Sequence, residues 1–431
     1  MDRTLLLLAT MLACLSGGVR GDIKFPKNQN TNHRWPPLIY KHEGGRIPDG
    51  HLRPFGYQKK SEGRAKEFDK PLSPKEFHDT CVKANIPCLF QDLMNGSVPM
   101  ENWDDKSIEG RMSKLNVSVE RFLADKAKEK TKVTFRHFIR NYHHKEMFIR
   151  STMPKELEED VPILSMVSCG PVQEGMVEVV LWASSGFTPS RLHYDAESQL
   201  HCLLTGRKDF VLYDPKHADI FKLQETYKGS GTGFCPWNPE ILSVYEHPKL
   251  SKTPWKWATL WAGDCLYVPQ GYLHQVRAHG RSWSIAYHWI HSDFDNFEDC
   301  DDQPEDKRLS DTDIFWTYEE GDKRIREDLI SGESLKKYLQ LIGRQSGQVS
   351  YLKFYHFVIE ANENYRDLDE DGDIEDPTEI ISPREMFEKI APRGQEFIKV
   401  KDLANVSQAV WEELAHLVTP PHSHEIVRDE L

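Results

Sequence analysis

Several features that identify common protein classes are missing from this chain of 431 residues. It has no Cys-x-x-Cys pair, which argues against a thioredoxin-like redox centre or a zinc ribbon. It has no basic stripe, and its formal net charge of −13 disfavours a nucleic-acid partner. Its N-terminal apolar run, residues 5–15, is shorter than the about 20 residues that a membrane-spanning helix needs. These absences favour a soluble protein.

The two ends of the chain carry the pattern of address signals. The apolar run follows a short charged segment and precedes small residues, as in a secretory signal peptide, so we expect residues 1–21 to be removed. The last four residues resemble the Asp-Glu-Leu-type signal that the retrieval receptor of the endoplasmic reticulum binds, with arginine in the first place instead of lysine or histidine. Those residues are Arg428, Asp429, Glu430 and Leu431. Together the ends predict the lumen of the endoplasmic reticulum, with that receptor as a partner.

Asparagine and cysteine residues agree with a secretory route. Candidate N-glycosylation triplets begin at Asn95, Asn116 and Asn405, although such triplets also arise by chance. One of the eight cysteines lies in the signal peptide, and the odd number that remains implies at least one thiol that is free or paired between chains. Cys81 and Cys88 are the candidate disulfide, with two buried thiols as the alternative.

The distribution of residue types divides the chain into segments. Residues 22–65 lack a periodic apolar pattern and predict an irregular extension. Residues 66–292 begin with a helix capped by Ser73 and continue as short β-rich runs between Gly, Pro and Asp, which predicts a β-sandwich or barrel. The carboxylate-rich segment 293–325 predicts a solvated linker and no metal site. Residues 326–418 predict an all-helical domain, followed by the tail 419–431.

The apolar pattern also places individual elements. The predicted strands are 177–181, 200–204, 210–213, 266–268 and 283–289, and the predicted C-terminal helices are 335–342, 351–362, 383–390 and 406–418.

Side chains in the β-rich segment have the spacing of a metal site. His193 and Asp195 are two residues apart, so on a strand both point to the same face. His274 follows a Pro-Gly turn between two other predicted strands. Two imidazoles and one carboxylate on one face leave coordination positions open, which suits an Fe(II) ion that binds further ligands.

The surrounding motifs resemble those of the JmjC (jumonji C) family of 2-oxoglutarate-dependent oxygenases, in particular its small protein-hydroxylase branch. The first motif is His-x-Asp, a strand, Gly-x-Lys and an apolar strand that ends near proline, over residues 193–215. The second is Gly-Asp-x-Leu-Tyr-Val-Pro followed by histidine, over residues 263–274. The resemblance covers residues 182–289 and extends more loosely from about residue 70.

This resemblance implies a mainly β fold with α-helices: a double-stranded β-helix (cupin or jelly-roll) barrel with flanking helices. It implies that the two histidines and Asp195 hold Fe(II), with no catalytic residue beyond this iron site. It also implies that Lys208 pairs with the distal carboxylate of 2-oxoglutarate and that Ser190 contacts the same group. Without the motif, Lys208 would be interpreted as a hydrated hairpin charge, and for Ser190 a turn at the start of a strand stays the alternative.

Two positions depart from the pattern of the branch. Gln199 stands where the branch usually has asparagine, and His201 is an unusual polar residue in an otherwise apolar strand. Neither departure affects the expected iron ligands.

The implied reaction is hydroxylation of a protein side chain by O₂, with 2-oxoglutarate converted to succinate and CO₂. Ascorbate is the expected reductant, and demethylation uses the same chemistry. The predicted location makes a luminal or secretory protein the expected substrate. The alternative is a catalytically inactive JmjC-like protein that serves as a calcium-binding scaffold or chaperone of the same compartment.

The helical segment contains a second motif. Residues 367–375 resemble the first nine positions of an EF-hand loop, which predicts a small all-α, EF-hand-like domain. Position 12 is Thr378 and the usual glutamate is displaced to Glu379, so weak calcium binding is expected, with a merely acidic loop as the alternative. The candidate ligands are Asp367, Asp369, Asp371 and Asp373.

Overall fold

The structure is a computed structural model of the full chain. It describes residues 34–39, 46–94, 96–98, 100–122, 128–142, 147–186, 189–225, 232–291, 296–300, 306–312, 314, 317–320, 323–326, 332–344, 346–355, 357–358 and 382–418. The predicted signal peptide, Asn95, the EF-hand-like loop and the C-terminal signal lie outside the described residues. None of the helices within the described ranges is long and apolar enough to cross a membrane.

The strands are labelled in chain order. They are β1 Lys66–Phe68, β2 Cys88–Phe90, β3 Asn116–Phe122, β4 Lys128–Thr134, β5 Met147–Thr152, β6 Met176–Ser184, β7 His193–Tyr194, β8 Ser198–Tyr213, β9 Gln224–Glu225, β10 Gly233–Phe234, β11 Lys256–Trp261, β12 Cys265–Val268, β13 Leu273–Trp289, β14 Thr317–Glu320, β15 Lys323–Arg326, β16 Gln348–Ser350 and β17 Phe397–Lys399.

The α-helices are labelled in the same way. They are α1 Pro74–Phe77, α2 Asp105–Met112, α3 Phe135–Asn141, α4 Gly170–Glu174, α5 Gly332–Arg344, α6 Pro383–Phe387 and α7 Gln408–Val418. Residues 351–355 and 357–358 are also helical. The predicted start of α1 is present: Ser73 Oγ accepts a hydrogen bond from the amide of Glu76, whose carboxylate accepts one from the Ser73 amide.

Strands β1 to β13 form one mixed sheet, in which the pairing of β1 with β2 is parallel and the other recorded pairings are antiparallel. The main path runs β1-β2-β12-β8-β13-β6-β5-β3-β4, and β11 and β7 extend it from β8 and β13. The first half of β8 pairs with β12 and the second half with β11, while β13 follows β8 along both halves. This sheet with flanking helices confirms the expected jelly-roll-like fold.

Glycines allow the two long strands to bend between the walls of the barrel. Gly206 in β8 has φ +86° and Gly280 in β13 has φ +69°, and the register shifts between His279 and Trp283. A Cβ at Gly206 would collide with the carbonyl oxygen of Arg281. Because both strands bend, residues far apart in each strand face the same interior.

Alternation along the strands separates an apolar face from a polar one. In β6, Val179, Leu181 and Ala183 pack into the main core, and in β13 Trp283 and Tyr287 do the same. Helical residues Phe77, Phe135 and Phe138 belong to this core as well. The intervening residues of both strands therefore face the interior of the barrel, and several of them are polar: Glu178, Trp182, Ser284 and His288.

The C-terminal segment has its own core, which includes Leu335 of α5 and Trp411 of α7. The all-helical expectation is wrong here, because β16 pairs with β17 and sets Val349 opposite Ile398. Both side chains are β-branched and buried, which favours a strand over a helix. Helix α6 ends at Phe387, three residues before the predicted end.

The segment predicted as a solvated linker is partly packed. Leu309 is buried in the main core, and a disulfide joins Cys300 to Cys169. The backbone of Arg308 forms an isolated antiparallel β-bridge with Pro162. The many carboxylates of this segment favoured a solvated linker, but its charge gives no information on such long-range contacts. The extension before residue 66 is irregular in its described part, although Phe55 is buried against Tyr213 and Phe221.

Six cysteines form disulfides and Cys235 is free and buried. A disulfide joins Cys81 and Cys88, the pair singled out from the sequence. The pairs Cys169–Cys300 and Cys202–Cys265 were not foreseen, since spacing alone does not pair distant cysteines.

Candidate metal centre

The fold brings the three candidate metal ligands together. His193 in β7 is the cross-strand partner of His274 in β13, and Asp195 directly follows β7. The two imidazole rings have centroids 4.1 Å apart, and His274 Nε2 lies 3.5 Å from Asp195 Oδ2. The candidate ligand atoms all lie within 4.8 Å of one another, and no other such group occurs in the part of the chain that the structure describes.

Backbone contacts orient both imidazoles. The Nδ1 atoms of His193 and His274 lie 2.8 and 2.9 Å from the carbonyl oxygens of Arg191 and Tyr272. A carbonyl only accepts, so each Nδ1 carries the hydrogen and each Nε2 keeps its lone pair for a metal.

Gln199 orients the carboxylate of the candidate site. Its side-chain amide donates a hydrogen bond of 2.9 Å to Asp195 Oδ2. A hydrogen bond to a carboxylate ligand fixes the direction of that carboxylate. This contact therefore gives a role to Gln199, which the sequence alone did not.

The protonation states of the ligands suit metal binding. Burial lowers the pKa of His274 to about 4, so its imidazole is neutral. Burial acts to raise the pKa of Asp195, but positive charge, on His193 and His274 in their protonated forms and on Arg150, outweighs it and holds that pKa below its ordinary value. Neutral imidazoles and an ionised carboxylate are the forms that bind a cation.

Lys208 lies inside the barrel and not on a hydrated hairpin. It is 5% exposed, and its Nζ contacts Ser284 Oγ at 2.7 Å and His201 Nε2 at 3.0 Å. Burial lowers its pKa to about 7. Its neighbour Arg207 is paired with Asp209 at 2.9 Å, and no carboxylate of a described residue pairs with Lys208. A buried cation without an anion is costly, so this position fits an anionic ligand.

Three residues around Lys208 were not assigned from the sequence. His201 accepts the ammonium hydrogen bond as a neutral imidazole, because burial lowers its pKa far below the ordinary value. Ser284 supplies a hydroxyl. The Trp182 ring lies 5.9 Å from Lys208 Nζ, and its buried Nε1 lacks a hydrogen-bond partner among the described residues. In β6 and β13 side chains alternate between the two faces of the sheet, which places Trp182 and Ser284 on the interior face. This alternation was the one signal in the sequence that could have identified them.

The hydroxyl of Ser190 contacts backbone groups. Its Oγ accepts a hydrogen bond of 2.9 Å from the amide of Val276 and contacts the carbonyl of Arg191 at 3.0 Å. These contacts favour the alternative, a turn residue that ties the start of β7 to β13. The hydroxyl that contacts Lys208 belongs to Ser284.

A further polar group lies on the interior face beside the metal ligands. Arg150 of β5 pairs with Glu178 at 2.8 Å, and Thr152 donates to the same carboxylate at 2.7 Å. His288 is the cross-strand partner of both Gln199 and Glu178, is 6% exposed, and has an Nε2 without a partner in the described part of the chain. This face can contact a polar substrate.

The donor set fits Fe(II), because two imidazoles and one carboxylate leave positions free for a bidentate cosubstrate and O₂. The unpaired Lys208 and the Trp182 N–H face the interior, where a dicarboxylate that chelates the metal would place its second carboxylate.

Comparisons with known proteins agree with this geometry. The family model described as "Cupin-like domain" matches residues 74–296, slightly more than half of the chain. The Dictyostelium discoideum JmjC domain-containing protein D is 26% identical over 51% of this chain and 55% of that protein. The Danio rerio lysine-specific demethylase 8 is 27% identical over 31% of this chain and 32% of that protein.

A third relative is matched over more of its own length. The Homo sapiens bifunctional peptidase and (3S)-lysyl hydroxylase JMJD7 is 21% identical over 53% of this chain and 84% of that protein. The matches to the Dictyostelium and zebrafish relatives span only 55% and 32% of those proteins, and the match to the Drosophila melanogaster Jumonji C domain-containing protein 5 spans 28% of it.

Proposed function

The chain belongs to the cupin-like JmjC family, and on this premise we propose that it is an Fe(II)- and 2-oxoglutarate-dependent oxygenase. One observation carries the proposal: three candidate ligand side chains share an interior with Lys208, a buried cation that lacks an anion among the described residues. His193, Asp195 and His274 would hold the metal.

The residues of the chain have separate tasks. Lys208, with Ser284, would bind and orient the distal carboxylate of 2-oxoglutarate, and Gln199 fixes the direction of Asp195. The buried residues around Lys208 would limit the access of water to the cosubstrate. When bound, Fe(II) with 2-oxoglutarate and O₂ supplies the oxidation that places one oxygen atom in a substrate C–H bond and the other in succinate, with release of CO₂.

We propose hydroxylation of a protein side chain, with ascorbate as the reductant. The human and zebrafish relatives are named a (3S)-lysyl hydroxylase and a lysine-specific demethylase, and both names refer to a lysine side chain. The polar group around Arg150 and His288 offers a surface on which such a side chain would be bound.

We also propose the lumen of the endoplasmic reticulum as the location and the retrieval receptor as a partner. The two ends of the sequence support this, and so do the disulfides, which form in oxidising compartments. N-glycosylation at Asn95, Asn116 and Asn405 belongs to the same proposal; Asn405 is exposed.

Calcium binding by Asp367, Asp369, Asp371 and Asp373 stays a proposal, since these residues lie outside the described ranges. Isothermal titration with Ca²⁺ tests it, with Asp367→Asn as the control. The inactive scaffold is not favoured, because each expected metal ligand is present in the sequence.

Succinate release tests the proposed activity. Purified protein with Fe(II), 2-oxoglutarate and ascorbate is expected to release succinate in the presence of luminal protein, whereas His193→Ala is expected to release none. A rate that is equal in both proteins would contradict the proposal. Trapping of luminal partners on the inactive variant, followed by mass spectrometry for the gain of one oxygen atom, would then identify the substrate.

A further inference from the structure

A buried hydroxyl lies behind the candidate metal site, at a point where three segments meet. Ser198 is the first residue of β8, three residues after Asp195, and is fully buried. Its Oγ lies 3.0 Å from the amide of Gln270, 2.6 Å from His291 Nε2 and 3.2 Å from the hydroxyl of Tyr267. The partners come from the turn before β13, the residues after β13, and β12.

These contacts use the full hydrogen-bonding capacity of the hydroxyl. A serine hydroxyl has one hydrogen and two lone pairs, and the Gln270 amide can only donate. Burial raises the pKa of Tyr267, so its phenol keeps its hydrogen, and burial lowers the pKa of His291, so its imidazole is neutral. One arrangement satisfies all four groups: Gln270 and Tyr267 donate to Ser198, which donates to His291 Nε2.

The same turn is also tied to a metal ligand. The amide of Gly271, the residue after Gln270, donates a hydrogen bond of 2.9 Å to the carbonyl oxygen of Asp195. Two consecutive amides of the turn therefore contact the segment 195–198, and three residues later the chain reaches His274. The hydroxyl of Ser198 thus connects the segment that carries Asp195 with the segment that carries His274.

We propose that Ser198 is a positioning residue of the metal site, whose hydroxyl fixes residues 269–271 against the segment 195–198. It thereby holds Asp195 and His274 at the separation at which one cation binds both. This inference rests on the proposed function. Gln199, the next residue in the strand, orients the Asp195 side chain, so Ser198 and Gln199 control the backbone and the carboxylate of the same ligand.

Metal binding by the full-length protein tests this role without turnover. Co(II) is titrated into the metal-free protein, and its visible absorption reports both affinity and coordination geometry. Ser198→Ala is expected to weaken Co(II) binding by about 10- to 100-fold, as losses of groups that orient metal ligands do, and to alter the absorption bands. Ser198→Thr keeps the hydroxyl and is expected to restore most of the affinity.

Ser282 provides a matched control. It is also a fully buried serine of a barrel strand, but its hydroxyl has no hydrogen-bond partner among the described residues. Ser282→Ala is expected to keep the Co(II) affinity within about twofold. Equal affinities of Ser198→Ala, Ser282→Ala and the natural protein would overturn the proposal.

Two further variants keep the outcome decisive. His291 is only half-buried, so His291→Ala disturbs the packing less and decides the question if Ser198→Ala does not fold. It is expected to weaken Co(II) binding in the same direction, and an unchanged affinity would count against the proposal. His193→Ala separates the two hypotheses: if it binds Co(II) as tightly as the natural protein, the proposed metal site itself is wrong. If Ser198→Ala and His291→Ala keep full affinity for Co(II) while His193→Ala loses it, the proposed metal site is supported and the positioning role of Ser198 is wrong.

Discussion

At the scale of single residues, the charge of Lys208 is the feature that most restricts which ligands can bind in the interior of the barrel. The ammonium is buried, contacts neutral partners, and has no carboxylate among the described residues. A ligand with a carboxylate would supply the missing charge.

Removal of this charge should affect the cosubstrate and not the fold. Lys208→Met is expected to raise the KM for 2-oxoglutarate by about 10- to 100-fold, because a hydrogen bond to a charged group contributes about 1.5–3 kcal/mol. Thermal stability should not fall, since a buried ammonium is replaced by an apolar side chain of similar length. Steady-state kinetics measure the effect, and Lys256→Met, at an exposed lysine of β11, is the control. A KM equal to that of the control would contradict the assignment.

The same residue predicts a pH dependence. Burial lowers the pKa of Lys208 to about 7, so the side chain is charged below that pH and neutral above it. The affinity of the Co(II) form for 2-oxoglutarate is therefore expected to fall as the pH rises from about 6 to about 8. Lys208→Arg keeps its charge over this range and should flatten the profile. An identical pH profile for the natural protein and Lys208→Arg would show that another group is responsible.

The candidate metal ligands were predictable from the sequence, but the residues that surround and orient them were not. Strand periodicity places His193 and Asp195 on one face, and the family motif adds His274 and Lys208. Trp182, Ser284 and His201 reach Lys208 only through the pairing of β6, β8 and β13, which local patterns do not encode. For Ser190 the spacing left two roles open, and its observed contact with the amide of Val276 favours the turn role.

At the scale of elements, the bends in β8 and β13 bring Lys208 to the interior that the candidate metal ligands share. Gly206 separates the half of β8 that carries Gln199 and His201 from the half that carries Lys208. The bend lets all three side chains line one interior.

A substitution at the bend is expected to destabilise the barrel. Gly206→Ala should cost about 3 kcal/mol, since alanine would adopt an unfavourable φ and its Cβ would meet the Arg281 carbonyl. Gly96 has φ +76° and open space around it, so Gly96→Ala should cost only about 1 kcal/mol. Urea unfolding of the two variants compares these values. Equal losses would mean that the close approach at Gly206 is relieved by a small shift.

The predicted strands differ from the observed β8 and β13 because of the glycine bends in these two strands. The sequence predicts β8 as two strands, 200–204 and 210–213, where the structure has one bent strand, Ser198–Tyr213. It predicts β13 as residues 283–289, and the strand begins at Leu273. Glycine is a signal for a turn in a local pattern, and only tertiary pairing decides whether the chain turns back or bends and continues. Strand β6 contains no glycine, and its predicted core, 177–181, lies inside the observed Met176–Ser184.

At the scale of the whole molecule, disulfides tie distant parts of the chain. Cys169 and Cys300 are 131 residues apart, whereas Cys81 and Cys88 are 7 apart. The long pair connects the segment after residue 292 to the cupin-like domain, which is why that segment is not a free linker.

Loss of the disulfide that closes the longer loop should lower the free energy of unfolding by the larger amount. Chain-entropy arguments give about 5 kcal/mol for a loop of this length and about 2.5 kcal/mol for the short one. Cys300→Ser is therefore expected to lower the free energy of unfolding more than Cys88→Ser, as measured by guanidinium unfolding of the oxidised proteins. A larger loss in Cys88→Ser would contradict this order.

The most direct test of the central claim follows the oxygen atoms. The protein is incubated with Fe(II), 2-oxoglutarate and ¹⁸O₂, and the succinate formed is examined by mass spectrometry. The proposed function predicts one ¹⁸O atom in succinate for the natural protein and no succinate above background for His193→Ala and His274→Ala. Succinate without ¹⁸O, or labelled succinate in equal amounts from the natural protein and these variants, would contradict an oxygenase that works through this site.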